Sequence, residues 1–574
     1  MRHQATDALE TGATGEQLRH TCRQGFLRDR SACTATATDT QCGGETDTAE
    51  RPPVSARRVR WRDLPNKDQL FILALCRFSE PLSNVCLLPY IFYLVRSTLP
   101  TDNDETPDAT AARVSEYSGL LVAAFPLAQF AVSLPWGRLS DARGRRLSIL
   151  IGLLASTVAN VGFGLSRSFG ALLFWRIVAG LANGNVGIMR TVTAEIVRER
   201  KYQTKAFLLL PLVFNSGMVA SLALGGFLAE PATNLPWLFG PSGVFNTNKH
   251  SDGVEWTLTY PYALPAFMNA MFLTVALVAA FFGLRETLPG KEGYSDYGLR
   301  IGRMIGRFLG GTSPYRAEED YTIVDGSEER LLPDGAQTIV RLSHGEKGSM
   351  KPEPSLGDIL DRKVISAMLS FGLLPLHNST FMHIFPVYLS SPPSDNSEAT
   401  LFAFSGGLGL RSATIGIWLS VFGVCGIFLQ LFIYPRMQAR WGTLGVFRIA
   451  LVLFPITYAA APYLSLVAGD HDARWIFLGL VVCAQIMART MAIPSTVILL
   501  TESAPQKTCL GTIHGAGNML ASLARAVGPA LGGWVFAMGV HEGVVGMVWW
   551  FYLVTTALVA LAWSFLMDVD GFTK

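Results

Sequence analysis

Apolar residues along this chain are gathered into long blocks that short polar segments punctuate, and the blocks are too long for the strands or amphipathic helices of a water-soluble core. Twelve of them reach the length that a helix needs to cross a hydrocarbon layer, about 20 residues at about 1.5 Å each. They fall at about 69–95, 115–136, 146–166, 169–194, 205–229, 260–284, 364–389, 412–434, 444–468, 474–500, 512–537 and 546–567. The pattern therefore predicts an all-α polytopic membrane protein.

Composition agrees: half of the 574 residues are hydrophobic, 16% are charged and 55 are glycine. A net charge of +3 is too small to point to nucleic acid. The placement of charge says more than its total. Basic connectors such as 57-RRVRWRDLPNK-67, 138-RLSDARGRR-146, 198-RERKYQTK-205 and 436-RMQARWG-442 alternate with acidic or neutral ones such as 101-TDNDETPDAT-110 and 391-SPPSDNSEAT-400. Lys and Arg in short loops mark the cytoplasmic side, so both termini are expected there and the number of spans is expected to be even. The eight cysteines have no ligand-like spacing, and neither a metal site nor another cofactor is expected.

A polar stretch between the sixth and seventh blocks divides the chain. The expected domains are a disordered cytoplasmic tail (1–66), a six-helix bundle (67–289), a cytoplasmic linker (290–363) and a second six-helix bundle (364–574). Within the linker, 298-GLRIGRMIGRFLGG-311 places Arg300, Arg303 and Arg307 at helical spacing opposite an apolar face, the pattern of a basic amphipathic helix at a membrane surface, although its glycines oppose helix formation. The connector 230–265 is expected to be extracytoplasmic.

The two bundles carry traces of one another. Aligning Gly225-Gly226 of span 5 with Gly532-Gly533 of span 11 also aligns Glu195 with Glu502. A fainter match sets Arg138 and Gly144 against Arg436 and Gly442. Duplicated six-span halves joined by a cytoplasmic linker describe a secondary transporter with a site between the halves.

From about residue 67 to 567 the chain resembles the major facilitator superfamily. The resemblance rests first on 137-GRLSDARGRR-146 between spans 2 and 3, then on 176-RIVAGLANG-184 in span 4, and then on the glycines of span 5, Gly217, Gly225 and Gly226. Proton-coupled exporters of that family have a Gly-Pro pair in span 5. Here Ser221-Leu222 stands there, and the intact 528-GPALGG-533, with Gly528 and Pro529, is in span 11. Cys-Arg-Phe-x-Glu-Pro in span 1, 260-YPYALP-265 and the Glu-Thr-Leu-Pro after span 6 further resemble the zinc-induced facilitator-like branch and its fungal drug:proton antiporter relatives. The resemblance implies a cytoplasmic gate formed by Gly137, Asp141, Gly144, Arg145, Arg146 and Glu195, and a link between Arg176 and proton coupling. Independently, Gly137 and Gly144 suit tight turns, and Asp141 suits a helix cap.

Charges inside the spans are the candidate chemistry. Arg77 and Glu80 lie three residues apart, on one face of span 1, with Glu80 about 16 Å along it. A charge at that depth costs at least about 3 kcal/mol unless it faces a polar cavity or a partner. Glu80 is the expected proton carrier, with Arg77 or Arg176 as its partner; a static pair that only fixes packing is the plainer alternative. Pro81 suggests a bend in span 1, and Pro375 and Pro386 suggest breaks in span 7. Asn84, Gln129, His377, Asn378, Gln485 and Arg489 are candidates to line a substrate cavity, with His514 and Asn518 behind them; for His377 a satisfied interhelical bond is as good a reading.

The leading function is proton-coupled efflux of small organic molecules by a monomer in contact with substrate, protons and lipid, in the plasma membrane rather than the vacuolar one. Transport of zinc or another small cation, and a non-transporting membrane sensor or scaffold, are the alternatives. No nucleophile–base pair or phosphate loop points to an enzyme.

Overall fold

The computed structural model describes residues 64–100, 106–197, 200–288, 297–308, 361–394, 399–505, 510–567. The N-terminal tail and most of the linker, with the domain boundaries drawn for them, lie outside these residues. The main helices are α1 (Lys67–Val85), α2 (Ile91–Thr98), α3 (Pro107–Arg143), α4 (Arg145–Gly164), α5 (Phe169–Ala182), α6 (Asn185–Ile196), α7 (Arg200–Leu228) and α8 (Ala263–Gly283). They are followed by α9 (Tyr297–Phe308), α10 (Arg362–Ser390), α11 (Ser412–Phe428), α12 (Tyr434–Ala460), α13 (His471–Glu502), α14 (Leu510–His541) and α15 (Thr555–Leu566). π-helical turns at Leu429–Ile433 and Val548–Val554 extend α11 and precede α15.

All twelve expected crossings are present. Among the described residues nine helical runs qualify as spans by length and composition, and one of these, Ser412–Ser465, contains two crossings that reverse at Gly442. The two crossings that do not qualify are those with the most polar interiors, α1–α2 with Arg77 and Glu80, and α10 with His377, Asn378 and His383.

Pro81, where a bend is expected, does not break span 1. Pro81 sits inside a continuous α1, and the chain leaves the helix at 86-CLLPY-90 instead. Pro89 has no N–H to give to the Val85 carbonyl, which accepts from Leu88 at 3.1 Å. Similarly α10 runs unbroken through Pro375 and Pro386. Span 4, by contrast, is broken between α5 and α6 at Asn183-Gly184. A break in hydrocarbon needs its carbonyls satisfied. Here α3 supplies the donors: Gln129 Nε2 to Asn183 O at 3.1 Å and Trp136 Nε1 to Leu181 O at 2.6 Å.

The fainter repeat has a backbone counterpart. Gly144 ends α3 with φ +124°, and Gly442 turns α12 with φ +70°, so both equivalents occupy backbone conformations that favour glycine. The end of the molecule that carries these two turns is called the motif end below.

The two halves meet chiefly through α3 on α14 and α7 on α11. Among the described residues, hydrogen bonds across the seam at the end opposite the motif end or near mid-length include Tyr93 Oη to Leu410 O at 2.7 Å, Asn234 Nδ2 to Ser412 Oγ at 3.2 Å, and Asn215 Nδ2 to Gln430 Oε1 at 2.7 Å.

Two glycines of the helix α9 face α8. A Cβ on Gly298 would stand 2.5 Å from the Phe281 carbonyl oxygen, and one on Gly302 would stand 2.1 Å from that of Phe282. Tyr297, Ile301 and Met304 on its other side are exposed. The side chain of Arg307 is outside the described residues.

Candidate functional site

Arg77 and Glu80 form an ion pair, each side chain being only slightly exposed, 12% and 14%. The Arg77 guanidinium also lies over the Phe214 ring of α7, 4.4 Å from its centroid. Glu80 lines a small pocket of mixed character, with Ser79, Ser83, Ser156, Asn183 and Asn185 on its wall beside apolar residues such as Phe125 and Leu153. The face of α1 that carries the pair thus turns into the molecule.

Of the two arginines considered for Glu80, the geometry selects Arg77. Arg176 is buried, with 3% exposure, and its donors go elsewhere. Nη1 reaches Ser83 O at 3.3 Å, Nη2 reaches Asn84 Oδ1 at 3.2 Å, and Nε reaches Leu121 O at 3.5 Å. It satisfies carbonyls where α1 ends and ties three spans together. Asn84 is therefore engaged by Arg176 rather than free to meet a substrate.

The remaining cavity candidates separate. Gln485 donates to Asn378 Oδ1 at 3.2 Å, joining α13 to α10. Arg489 donates from Nη2 to the Met218 sulfur at 3.1 Å across the seam, a weak acceptor for a cation, and its Nε is buried without a partner among the described residues. His377 does not face a cavity. It is fully buried, its Nδ1 lies 2.8 Å from Tyr458 Oη, and its ring packs edge-on against Phe454. His514 is paired with Thr501 at 3.1 Å.

Two cations went unnoticed in the sequence, Arg190 on α6 and Arg525 on α14. Both are half-buried, and both interact electrostatically with Arg77, with Glu80 and with each other. Arg525 Nη2 donates to Ser522 Oγ at 2.9 Å. The signal was available, since each interrupts an apolar block as Arg77 does.

At the motif end, Arg145 bonds to Asp141 and reaches Glu195 at 3.4 Å. Burial opposes the charge on Arg145, but the bonds with Asp141 and Glu195 outweigh it and raise its pKa above the ordinary value. Asp141 does not cap a helix. That role belongs to Glu286, whose carboxylate accepts from the backbone N–H of Arg145 at 2.8 Å and of Arg146 at 3.2 Å, opposite the positive end of α4. Arg146 turns inward and donates to Phe281 O at 2.7 Å. Thr287 closes the ring by donating to Glu195. All these bonds join elements of the first half. Gly137 lies inside α3 with open space around it and makes no turn or close approach.

Gly144 is the residue that this cluster cannot replace. Its φ suits glycine, and a Cβ there would stand 2.4 Å from Glu286 Oε2. Gly144→Ala is expected to cost about 1–3 kcal/mol through backbone strain and displacement of the Glu286 cap. Thermal unfolding in detergent measures it; an unchanged midpoint would show that the turn tolerates a side chain.

The packing glycines divide their work by position. Gly217 approaches Phe78 O and Gly225 approaches Cys86 O, both on span 1 of the same half. Gly528 and Gly532 approach Leu376 O and Thr380 of α10, the equivalent span of the second half. Gly226 and Gly533 instead face across the seam, toward Gly416 and Gly119. Pro529 shares that contact, its carbonyl lying 2.6 Å from where a Cβ on Gly119 would sit.

Comparison with known proteins gives the same fold and family. Residues 73–392 match the family description Major Facilitator Superfamily. A multidrug transporter of Aspergillus fumigatus, mfsB, is 32% identical over 86% of this chain and 82% of its own length. Zinc Induced Facilitator 1 of Arabidopsis thaliana is 24% identical over 80% of this chain and 81% of its own. Among solved structures, the human organic anion transporter MFSD10 superposes with a TM-score of 0.53 at 17% identity, covering 87% of this chain and 100% of that one, a likeness of fold alone. The chain belongs to the major facilitator superfamily of membrane transporters.

Proposed function

We propose that the protein is a proton-coupled exporter of small organic molecules that works by alternating access, with Glu80 as the proton carrier and Arg77 as its electrostatic partner. The observation that carries this reading is the Arg77–Glu80 pair itself, an acid and a base held near mid-span and turned inward. Separating them leaves a carboxylate in a poorly solvated place, which favours taking up a proton; rejoining them favours releasing it. The similarity to a multidrug transporter and to an efflux pump of Aspergillus niger supports organic cargo. Among the described residues no group of three or more His, Cys, Asp and Glu side chains comes together, which favours organic cargo over a bare divalent cation.

On the charge rule the motif end faces the cytoplasm, as do both termini. Contacts between halves at the opposite end then correspond to a state open to the cytoplasm, ready to take up cargo for export. Purified protein in liposomes tests the reading. An imposed pH gradient should drive dye accumulation, and a protonophore should abolish it. Accumulation that ignores the protonophore would rule out proton coupling, and no flux with any organic cargo would rule out the exporter.

A further inference from the structure

Span 6 presents one face to lipid. Met271, Val275, Val278 and Phe281 recur at helical spacing along α8, and all four are exposed. Where that face ends, at the motif end, α9 lies against it, with Gly298 at the Phe281 carbonyl and Gly302 at that of Phe282. The outward side of α9 continues the same surface. Tyr297, Ile301 and Met304 stand about one turn apart there and are exposed, Tyr297 at 79% and Met304 at 67%. Large side chains as open as these are better placed beside acyl chains than beside water. The occupant of this face is therefore lipid, at the level where span 6 leaves the hydrocarbon.

Charge says which lipid. From Tyr297 to Phe308 the chain carries Arg300, Arg303 and Arg307 and no acid. Arg300 shares the outward side: it is exposed, and its guanidinium lies 5.9 Å from the Tyr297 ring centroid. A guanidinium beside an aromatic ring at the edge of a bilayer suits headgroup depth, its stem in the apolar layer and its charge among the phosphates. Half-buried Arg303 donates from Nε to Leu299 O at 3.4 Å within the same helix and adds a second positive charge. We infer that α9 is a docking surface for anionic phospholipid, with the headgroup at Arg300 and the acyl chains over Tyr297, Ile301 and Met304. Paired N–H donors match the headgroup oxyanion, and bonds between charged partners are the strong ones. On the orientation proposed above this is the cytoplasmic leaflet, where anionic lipid is concentrated. The dock also touches the motif-end cluster. A Cβ on Gly298 would stand 2.9 Å from Arg146 Nη2, the nitrogen that donates to Phe281 O. Lipid that holds α9 on α8 therefore holds Arg146 in its place. Neither proton nor cargo enters this contact, so the dock stands or falls apart from the exporter.

Amide hydrogen exchange over residues 297–304, with purified full-length protein in nanodiscs, tests the dock. When phosphatidylserine is mixed into phosphatidylcholine, exchange there should be at least about fivefold slower than in phosphatidylcholine alone, the factor that one arginine near an anionic surface supplies. Phosphatidylglycerol should act alike, because the charge and not the serine is read. Arg300→Gln combined with Arg303→Gln should erase the difference, and the corresponding pair of lysine substitutions should keep most of it. Raised salt should shrink the difference in the unsubstituted protein. Exchange along α8 should be the same in every sample, which separates a lost dock from a lost fold. Equal exchange in the neutral and anionic bilayers, a slowing that survives the glutamine pair, or a slowing indifferent to salt overturns the anionic dock. Slowing by glycerol 3-phosphate alone in detergent overturns it too, because the ligand would then be a free phosphate and not a lipid.

Discussion

Glu80→Gln is expected to lower pH-gradient-driven accumulation of cargo by at least about tenfold while leaving counterflow exchange of cargo largely intact. Glutamine keeps the size of the side chain and a carbonyl that Arg77 can donate to, but it can neither carry a proton nor a charge. A tenfold loss corresponds to about 1.4 kcal/mol, less than the cost of a charge at mid-span, so the effect can be far larger. Exchange under equal pH on both sides needs only the swing of the halves, and it separates a lost coupling group from a lost fold. Arg77→Gln is the second arm. It removes the ion-pair partner of Glu80 while Arg190 and Arg525 still act on the carboxylate, so accumulation should fall, but by less than in Glu80→Gln. Were Glu80→Gln to accumulate cargo at the normal rate on a gradient, the proton would have to travel elsewhere, and the pair would be a packing device.

The fold was legible where it depends on run length alone. Twelve apolar blocks became twelve crossings because lipid allows only helices there, and a continuous run of about 20 residues has one solution. The places at which helices break were less legible. A proline marks a missing donor but not whether a neighbour will take the freed carbonyl. Pro81, Pro375 and Pro386 remain inside helices, whereas Pro89 coincides with a break, and Asn183-Gly184 breaks with no proline at all. The donors that permit that last break, Gln129 and Trp136, come from another span, so no local pattern reveals them.

The candidate site divides along the same line. Arg77 with Glu80 is a pair within one helical turn and was readable as such, whereas Arg145 meets Asp141 across the Gly144 turn between two helices. Glu286 was visible only as part of a familiar tetrapeptide; its role as the cap of α4 is a contact across 140 residues. His377 carried the same polar signal as its neighbour Asn378, yet Tyr458 and Phe454 enclose it, and that enclosure depends on α12. The repeat showed that Gly226 and Gly533 are equivalent, but not that each meets a glycine, Gly416 and Gly119, on the opposite half.

Those glycine contacts yield the second large effect. Gly226→Leu should leave the protein folded and inserted but reduce turnover to a few per cent or less, by preventing the halves from meeting at the end opposite the motif end. A Cβ at 226 would lie 2.4 Å from the Ser412 carbonyl oxygen and 2.8 Å from the Gly416 Cα, both backbone atoms that cannot rotate aside. Helices with ordinary side chains at a contact stand about 8–10 Å apart, so leucine must push α7 from α11. Overpacking of this kind costs about 1–3 kcal/mol when a core can adjust. Here the adjustment open to the molecule is a swing of the halves, so the cost falls on one conformational state and not on folding. Gly225→Leu, one residue away, is the control. Its Cβ would meet the Cys86 carbonyl oxygen at 2.0 Å inside the first half, so it should lose folded protein instead. Cysteines introduced at Tyr93 and Leu410, which are hydrogen-bonded across the closed end, report the difference. Cross-linking should fail in Gly226→Leu at normal yield of folded protein, whereas Gly225→Leu should lower the yield itself. A Gly226→Leu protein that still cross-links and still turns over would show that this contact is not where the two halves close.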